Sequence, residues 1–228
     1  MKKTKKILSL FMAVILIAGL TGCVKINAVI DTTESWKEYT MQATVYYDKE
    51  AIDSLSVESK KDTSQSGWAA GKATKKAKKL PVVTVNGKKY YVRKSKIKKY
   101  PYNDIDPHKG MIVTDASFYT TETLKHSKSN EAEDALLAGM IEEISFKVIF
   151  DSKIVKTNGK LSQDKRTVVF TYKFKGNHLS KKNPMGEMYA YTDRAEHTLA
   201  SDRKMMKAYN KKKDAYLRKK AKNANKQN

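Results

Sequence analysis

The apolar positions of this chain fall into two regimes. Residues 7–20 (ILSLFMAVILIAGL) form a continuous apolar run. From residue 24 onward, apolar and polar positions alternate. Val24–Asp31 places Val24, Ile26, Ala28 and Ile30 on one side, and Tyr39–Tyr47 aligns Tyr39, Met41, Ala43, Val45 and Tyr47. A period of two is that of a pleated strand, so the pair predicts an antiparallel hairpin across the polar segment TTESWK. Asp48 then caps a short helix reaching Val57, with Ala51, Ile52 and Leu55 turned inward. Residues 58–71 read as a loop.

Further on, Val82–Val92 carries Asn86-Gly87 between two β-prone runs. Both residues tolerate positive φ, which makes this the strongest short-range hairpin signal. Tyr100–Gly110 reads as a loop, and Met111–Thr120 as one strand. Asn130-Glu131-Ala132-Glu133 resembles a capping box opening a helix with Ala132, Ala135, Leu136, Gly139 and Met140 on one stripe. Glu143–Phe150 and Arg166–Phe174 alternate as strands, with a turn at Asn158-Gly159. Leu199, Met206, Tyr209 and Tyr216 recur at helical spacing, which predicts a helix from about residue 194 to 220. Strands with a few helices, and no regular strand–helix alternation, define an α+β fold with an antiparallel sheet and a C-terminal basic helix.

The apolar run changes the reading of the amino terminus. Lys2, Lys3, Lys5 and Lys6 precede it, and Leu20-Thr21-Gly22-Cys23 follows it. A bilayer-spanning helix needs about 20 apolar residues, and this run is shorter. A basic start, a short apolar core and small residues before a cysteine match a bacterial lipoprotein signal. Cleavage between Gly22 and Cys23 is expected after the Cys23 thiol takes a diacylglycerol, and the freed amine is then open to acylation. Cys23 is the only cysteine, so no disulfide framework competes for it. The expected organisation is a signal peptide over 1–22, an α+β domain over 23–193 with a basic hairpin insertion at about 60–125, and a Lys-rich helical tail over 194–228.

The mature start CVKINAVID and the block FKVIFDSKIVKTNGKLSQDKRTVVF resemble the LppM-type lipoprotein domain. Its members open with a strand at the lipidated cysteine and close with a "K-[IV]-x-x-x-N-G" turn between strands, here Lys153–Gly159. The resemblance covers roughly 23–175 and is least close at 60–125. It implies an extracytoplasmic α+β domain without assigned catalytic residues. Many members end in a transmembrane helix, where this chain carries a polar, Lys-rich tail.

Charge is the strongest compositional feature. The chain carries a formal +22, and removing the four signal lysines leaves +18. Residues 72–99 hold twelve Lys or Arg and no acid, and the 194–228 tail is +9. Basic groups near an anionic bilayer contribute about 1 kcal/mol each. The candidate contacts are Lys75, Lys76, Lys78, Lys79, Lys88, Lys89, Arg93 and Lys94 in the first segment. In the tail they are Lys211, Lys212, Lys213, Arg218, Lys219 and Lys220. The expected partners are the membrane, through the lipid, and anionic phospholipid or wall polymer. Nucleic acid is not expected, because export removes the chain from it and no binding signature is present. The alternative is an accessory or solute-binding lipoprotein with a small-ligand pocket. Two basic segments on one face favour surface docking, and on opposite faces a bridging role.

Catalytic chemistry is sparsely represented. His108, His126, His178 and His197 are scattered, without metal-ligand spacing. Asp104 and Asp106 fall short of the 6–8 oxygens that calcium takes. No nucleophile motif or Gly-rich phosphate loop appears. The expectation is a protein that is not an enzyme and uses no cofactor or metal.

Overall fold

The alternation from residue 24 folds as a hairpin. Strand β1 (Val24–Asp31) runs antiparallel to β2 (Glu38–Asp48), with Val24 opposite Tyr47 and Asp31 opposite Thr40. A computed structural model of the chain describes residues 24–58, 75–102, 111–121, 141–173 and 186–224. Cys23, the signal region, the 103–110 loop and the helix expected after Asn130 lie outside the described residues, as do His108, His126 and His178.

On one side of the hairpin, β8 (Ile141–Ile149) lies parallel to β1, followed by antiparallel β11 (Thr167–Lys173) and β10 (Lys160–Leu161). On the other side β2 pairs with β4 (Lys88–Lys94), and β4 with β3 (Val82–Val85). Strand β5 (Lys98–Pro101) extends along β2. The eight-stranded sheet therefore runs β10-β11-β8-β1-β2-β4-β3, with β5 on β2, and β1 near its centre. A second sheet of four strands has the order β6-β7-β12-β9. These strands are β6 (Met111–Val113), β7 (Ser117–Thr120), β12 (Met188–Thr192) and β9 (Ile154–Thr157). The architecture is α+β with mainly antiparallel sheets, as expected.

The core explains the layering. Val24, Ile26, Ala28 and Ile30 of β1, with Phe146 and Val148 of β8 and Val168 and Phe170 of β11, form one buried cluster. Met111, Val113, Phe118, Met188 and Ala190 of the small sheet belong to the same cluster. Each of the Val, Ile, Phe and Met side chains contributes about 1.5–3 kcal/mol relative to exposure. The opposite face of the small sheet buries Ile112 and Tyr119 against Met206 and Tyr209. Those two belong to helix α2 (Leu199–Ala224), so the order of layers is large sheet, small sheet, α2. Helix α1 (Lys49–Glu58) adds Ile52 to the first cluster. Asp48 caps α1 as expected: Oδ1 accepts from the backbone N–H groups of Glu50 (2.9 Å) and Ala51 (3.2 Å).

Three expectations need correction. Met111–Thr120 is two strands, because Thr114 Oγ1 accepts from the amides of Ala116 (3.1 Å) and Ser117 (2.8 Å) and turns the chain. Asn158-Gly159 is a bend that carries the chain from the small sheet into the large one, not a hairpin turn. Glycine is needed there for space: a Cβ would lie 2.5 Å from Val168 Cγ2 and 2.7 Å from Phe170 Cε1. The reversal comes later, at residues 162–166, where Lys165 takes φ 56°. Asn86-Gly87, by contrast, has φ 50° and 78°, as a type I′ hairpin requires. The C-terminal helix begins at Leu199 rather than near 194, because Thr198 and Ser201 cap it reciprocally. The Ser201 amide donates to Thr198 Oγ1 at 3.1 Å, and the Thr198 amide to Ser201 Oγ at 2.9 Å.

Candidate functional site

Strand register places several basic groups around the start of the first described strand. Val24 lies opposite Tyr47, Tyr47 opposite Tyr91, and Tyr91 opposite Val82. Asp48 with Tyr90 and Val83 lies one residue further out, and Lys88 with Val85 lies beyond them. The Asn86-Gly87 tip therefore projects from the same end of the large sheet as the bond between residues 23 and 24. The β1–β2 connection, with Trp36, is at the opposite end.

Around that end, some lysines are neutralised and some are not. Lys88 forms an ion pair with Asp48, whose side chain is 7% exposed. Burial pushes the Asp48 carboxyl up, but the Lys88 contact and the capping amides outweigh it, and the net shift is downward. Lys25 Nζ lies 3.3 Å from Glu142 and 5.6 Å from the centre of the buried Tyr90 ring. Asp53 of α1 takes Lys49 at 2.5 Å, Lys78 at 3.1 Å and the Tyr91 hydroxyl at 3.1 Å. Lys75, Lys76, Lys79 and Lys89 are exposed, and among the described residues no acid pairs with them. Arg93 and Lys94 are exposed further from the tip, opposite Val45 and Thr44.

The two basic segments lie on opposite layers, the arrangement that favours a bridging role over one shared docking face. Lys88 and Lys94 share the outer face of the large sheet with Tyr46 and Thr44, while α2 lies beyond the small sheet. Lys211, Lys212 and Arg218 are exposed on α2. Lys213, Lys219 and Lys220 are helical, but their side chains lie outside the described residues.

A buried polar cluster at the start of α2 escaped the sequence reading. Asp202 is fully buried. It accepts from the Tyr191 hydroxyl at 2.9 Å and sits 2.7 Å from His197 Nδ1. Burial first, and Asp202 second, push the Tyr191 hydroxyl up. Beside it, Glu187 binds Arg203 at 2.6 and 2.8 Å and accepts from the Tyr119 hydroxyl at 2.7 Å. The Arg203 contact holds the Glu187 carboxyl below its ordinary value. These bonds join α2 to β7 and β12. Asp202 orients His197, and through these bonds the cluster latches the start of α2 to β12. Its only sequence signal was a His and an Asp five apart, a spacing that places neither on a common helix face.

Among the described residues no group of three or more His, Cys, Asp or Glu is placed to hold a metal ion. No helix among them is long and apolar enough to cross a membrane.

Together these features define a class: an α+β domain of two stacked sheets, with a basic hairpin beside the start of its first described strand and a basic helix on its far layer. No family model matches the chain, and no curated protein matches it. Among solved structures, the NMR structure of the folded domain of Mycobacterium tuberculosis LppM is similar. That likeness is 11% in sequence, covers 78% of this chain and 95% of that one, and has a TM-score of 0.34, a weak resemblance of fold.

Proposed function

We propose that the protein is an extracytoplasmic lipoprotein, tethered through Cys23, whose folded domain is a non-catalytic module docking on anionic phospholipid or wall polymer. The observation that supports this most is the junction at residue 24. The lipobox-like Leu20-Thr21-Gly22-Cys23 leads, without a spacer, into a central strand whose first residue, Val24, is 6% exposed. A lipid on Cys23 would hold the domain against the bilayer, within reach of its headgroups. Exposed, unpaired lysines are then the groups that such a surface attracts, within a Debye length of about 10 Å at 0.1 M salt.

Two measurements test the reading. Mass spectrometry of the protein isolated from membranes should find a diacylglyceryl thioether on Cys23, and a Cys23→Ala variant should leave the membrane at high salt. Binding of unlipidated protein to anionic vesicles should fall steeply with salt. A bare Cys23 sulfur removes the anchor, and binding indifferent to salt removes the electrostatic docking. Parallel binding to isolated wall polymer separates the two anionic partners.

A further inference from the structure

We propose that the tip of the β3–β4 hairpin is the domain's bilayer-contact element, with Val83 and Val85 entering the headgroup boundary and Lys89 meeting anionic lipid phosphates. The inference rests on the lipid anchor at Cys23 and adds to it an orientation and a named contact.

The geometry starts from the register. Tyr91 shares a row with Val24, and Lys88 and Val85 lie three residues further toward the tip. At about 3.3 Å per residue the tip stands roughly 10 Å past Val24, less what sheet twist removes. The Cα of residue 23 is about 3.8 Å from that of Val24. The hairpin thus reaches beyond the anchoring residue, in the direction in which the lipid would lie. The headgroup zone of each leaflet is about 5–7 Å deep, comparable to this overhang.

The surface of the hairpin suits that position. Val82, Val83 and Val85 are 47, 42 and 39% exposed on an edge strand. Edge strands are ordinarily blunted by charge, proline or cover, and β3 itself carries three bare valines and no charge. Val83 and Val85 share one face, opposite Tyr90 and Lys88. Lys89 lies on the other face of β4 next to the tip, and Lys75, Lys76 and Lys79 precede the strand; all four are exposed, and no described acid neutralises them. An apolar hairpin tip with exposed lysine beside it is complementary to an anionic bilayer. The type I′ turn and the pairing to β4 preform the shape, so contact orders little new chain. The outer edge of β3 also sets the depth: its backbone groups need water, which holds the strand at the boundary and out of the hydrocarbon.

The test uses the lipidated full-length product in anionic vesicles. Cys23 is the only cysteine, so once it is a thioether an introduced cysteine is the sole free thiol. A Val85→Cys variant and a Trp36→Cys variant are each labelled with an environment-sensitive fluorophore. Trp36 is 80% exposed and sits beyond the other end of β1, about 33 Å from the hairpin tip by strand length, seven steps along β1 and three more to Val85 at about 3.3 Å each. The Val85 label is expected to be quenched by a lipid-borne quencher and protected severalfold from aqueous iodide relative to the Trp36 label. Equal iodide access at both positions, in a sample whose Cys23 is shown by mass spectrometry to carry lipid, overturns the contact and leaves the anchor intact. A bare Cys23 in that sample overturns the anchor, and the contact with it. Both labelled positions are exposed, so folding is preserved, and circular dichroism checks it.

Discussion

The two lysine-rich regions meet the rest of the protein in opposite ways. In β4, three consecutive residues, Tyr90, Tyr91 and Val92, are buried between flanking basic pairs. The lysines there ride on a strand paired on both sides, and Asp48 neutralises Lys88, as Asp53 does Lys78 ahead of the hairpin. In α2 the apolar partners run out. Met206 and Tyr209 are buried, but every described side chain from Lys211 on is exposed, and Tyr216 is 53% exposed. The remaining 14 residues extend about 20 Å as a helix that no described side chain packs against the body. Similar composition thus yields a fixed charged surface in one place and a charged arm in the other. What separates them is the supply of apolar side chains on the basic element itself.

The sharpest way to break this comparison is to remove the contact that divides the two halves of α2. Met206→Ala leaves a cavity between α2 and Ile112 and Tyr119, and is expected to cost about 2–5 kcal/mol. Tyr216→Ala, ten residues further along the same helix, should change stability by no more than about 0.5 kcal/mol. Urea denaturation of the two variants decides. A comparable loss in both would mean that the arm is packed after all.

How far the sequence reveals these differences depends on how many faces of an element are covered. Strands β1, β2, β8 and β11 have one face on the core and one more open, so they alternate and were legible. The small sheet lies between the large sheet and α2. Met111, Ile112 and Val113, and then Ser117 through Thr120, are all buried. A strand covered on both sides has no period to detect, so β6 and β7 merged into one expected strand and β12 was missed. The Asn-Gly signal was right at 86–87, where positive φ is the need, and misleading at 158–159, where the need is close approach to Val168 and Phe170. The basic residues of the candidate site were legible as charge, but which of them are neutralised was not. That depends on register, which sets Asp48 of β2 beside β4.

The Asp202 latch sharpens the comparison from the packed half of α2. Replacing Asp202 by Ala leaves the Tyr191 hydroxyl without its acceptor in a buried setting and frees His197. An unsatisfied buried group costs about 1–3 kcal/mol, and that is the loss expected in thermal or urea unfolding. Asp202→Asn keeps one acceptor oxygen and should cost less. If neither variant differs from the parent, α2 is held by Met206 and Tyr209 alone.

The hairpin lysines are separable by the same reasoning. Lys75→Gln, Lys76→Gln, Lys79→Gln and Lys89→Gln should each weaken binding of unlipidated protein to anionic vesicles at low salt by about fivefold, the equivalent of roughly 1 kcal/mol per charge. Lys88→Gln should have a smaller effect, because the Lys88 charge is already balanced by Asp48. Gln at Lys211 and Lys212 asks whether the arm docks as well. Loss confined to the hairpin set would mark the fixed surface as the docking one.

The smallest expected effect tests that balance directly. Burial raises the Asp48 carboxyl, Lys88 and the Glu50 and Ala51 amides lower it, and the net shift is downward. A carboxyl held lower in the folded than in the unfolded chain adds stability above its unfolded value, about pH 3.9, and gives it up as pH falls through the folded value. Stability should therefore decline below about pH 4, as followed by urea midpoints across acid pH. Asp48→Asn retains a capping side chain, so it should cost little at neutral pH and flatten the acid decline. Lys88→Gln removes the cation but keeps the cap, so the folded value rises toward the unfolded one and the acid decline should be shallower than in the parent. If all three curves superimpose, Lys88 does not hold Asp48 in solution. It would then behave as Lys89 does, with its charge available to an anionic surface.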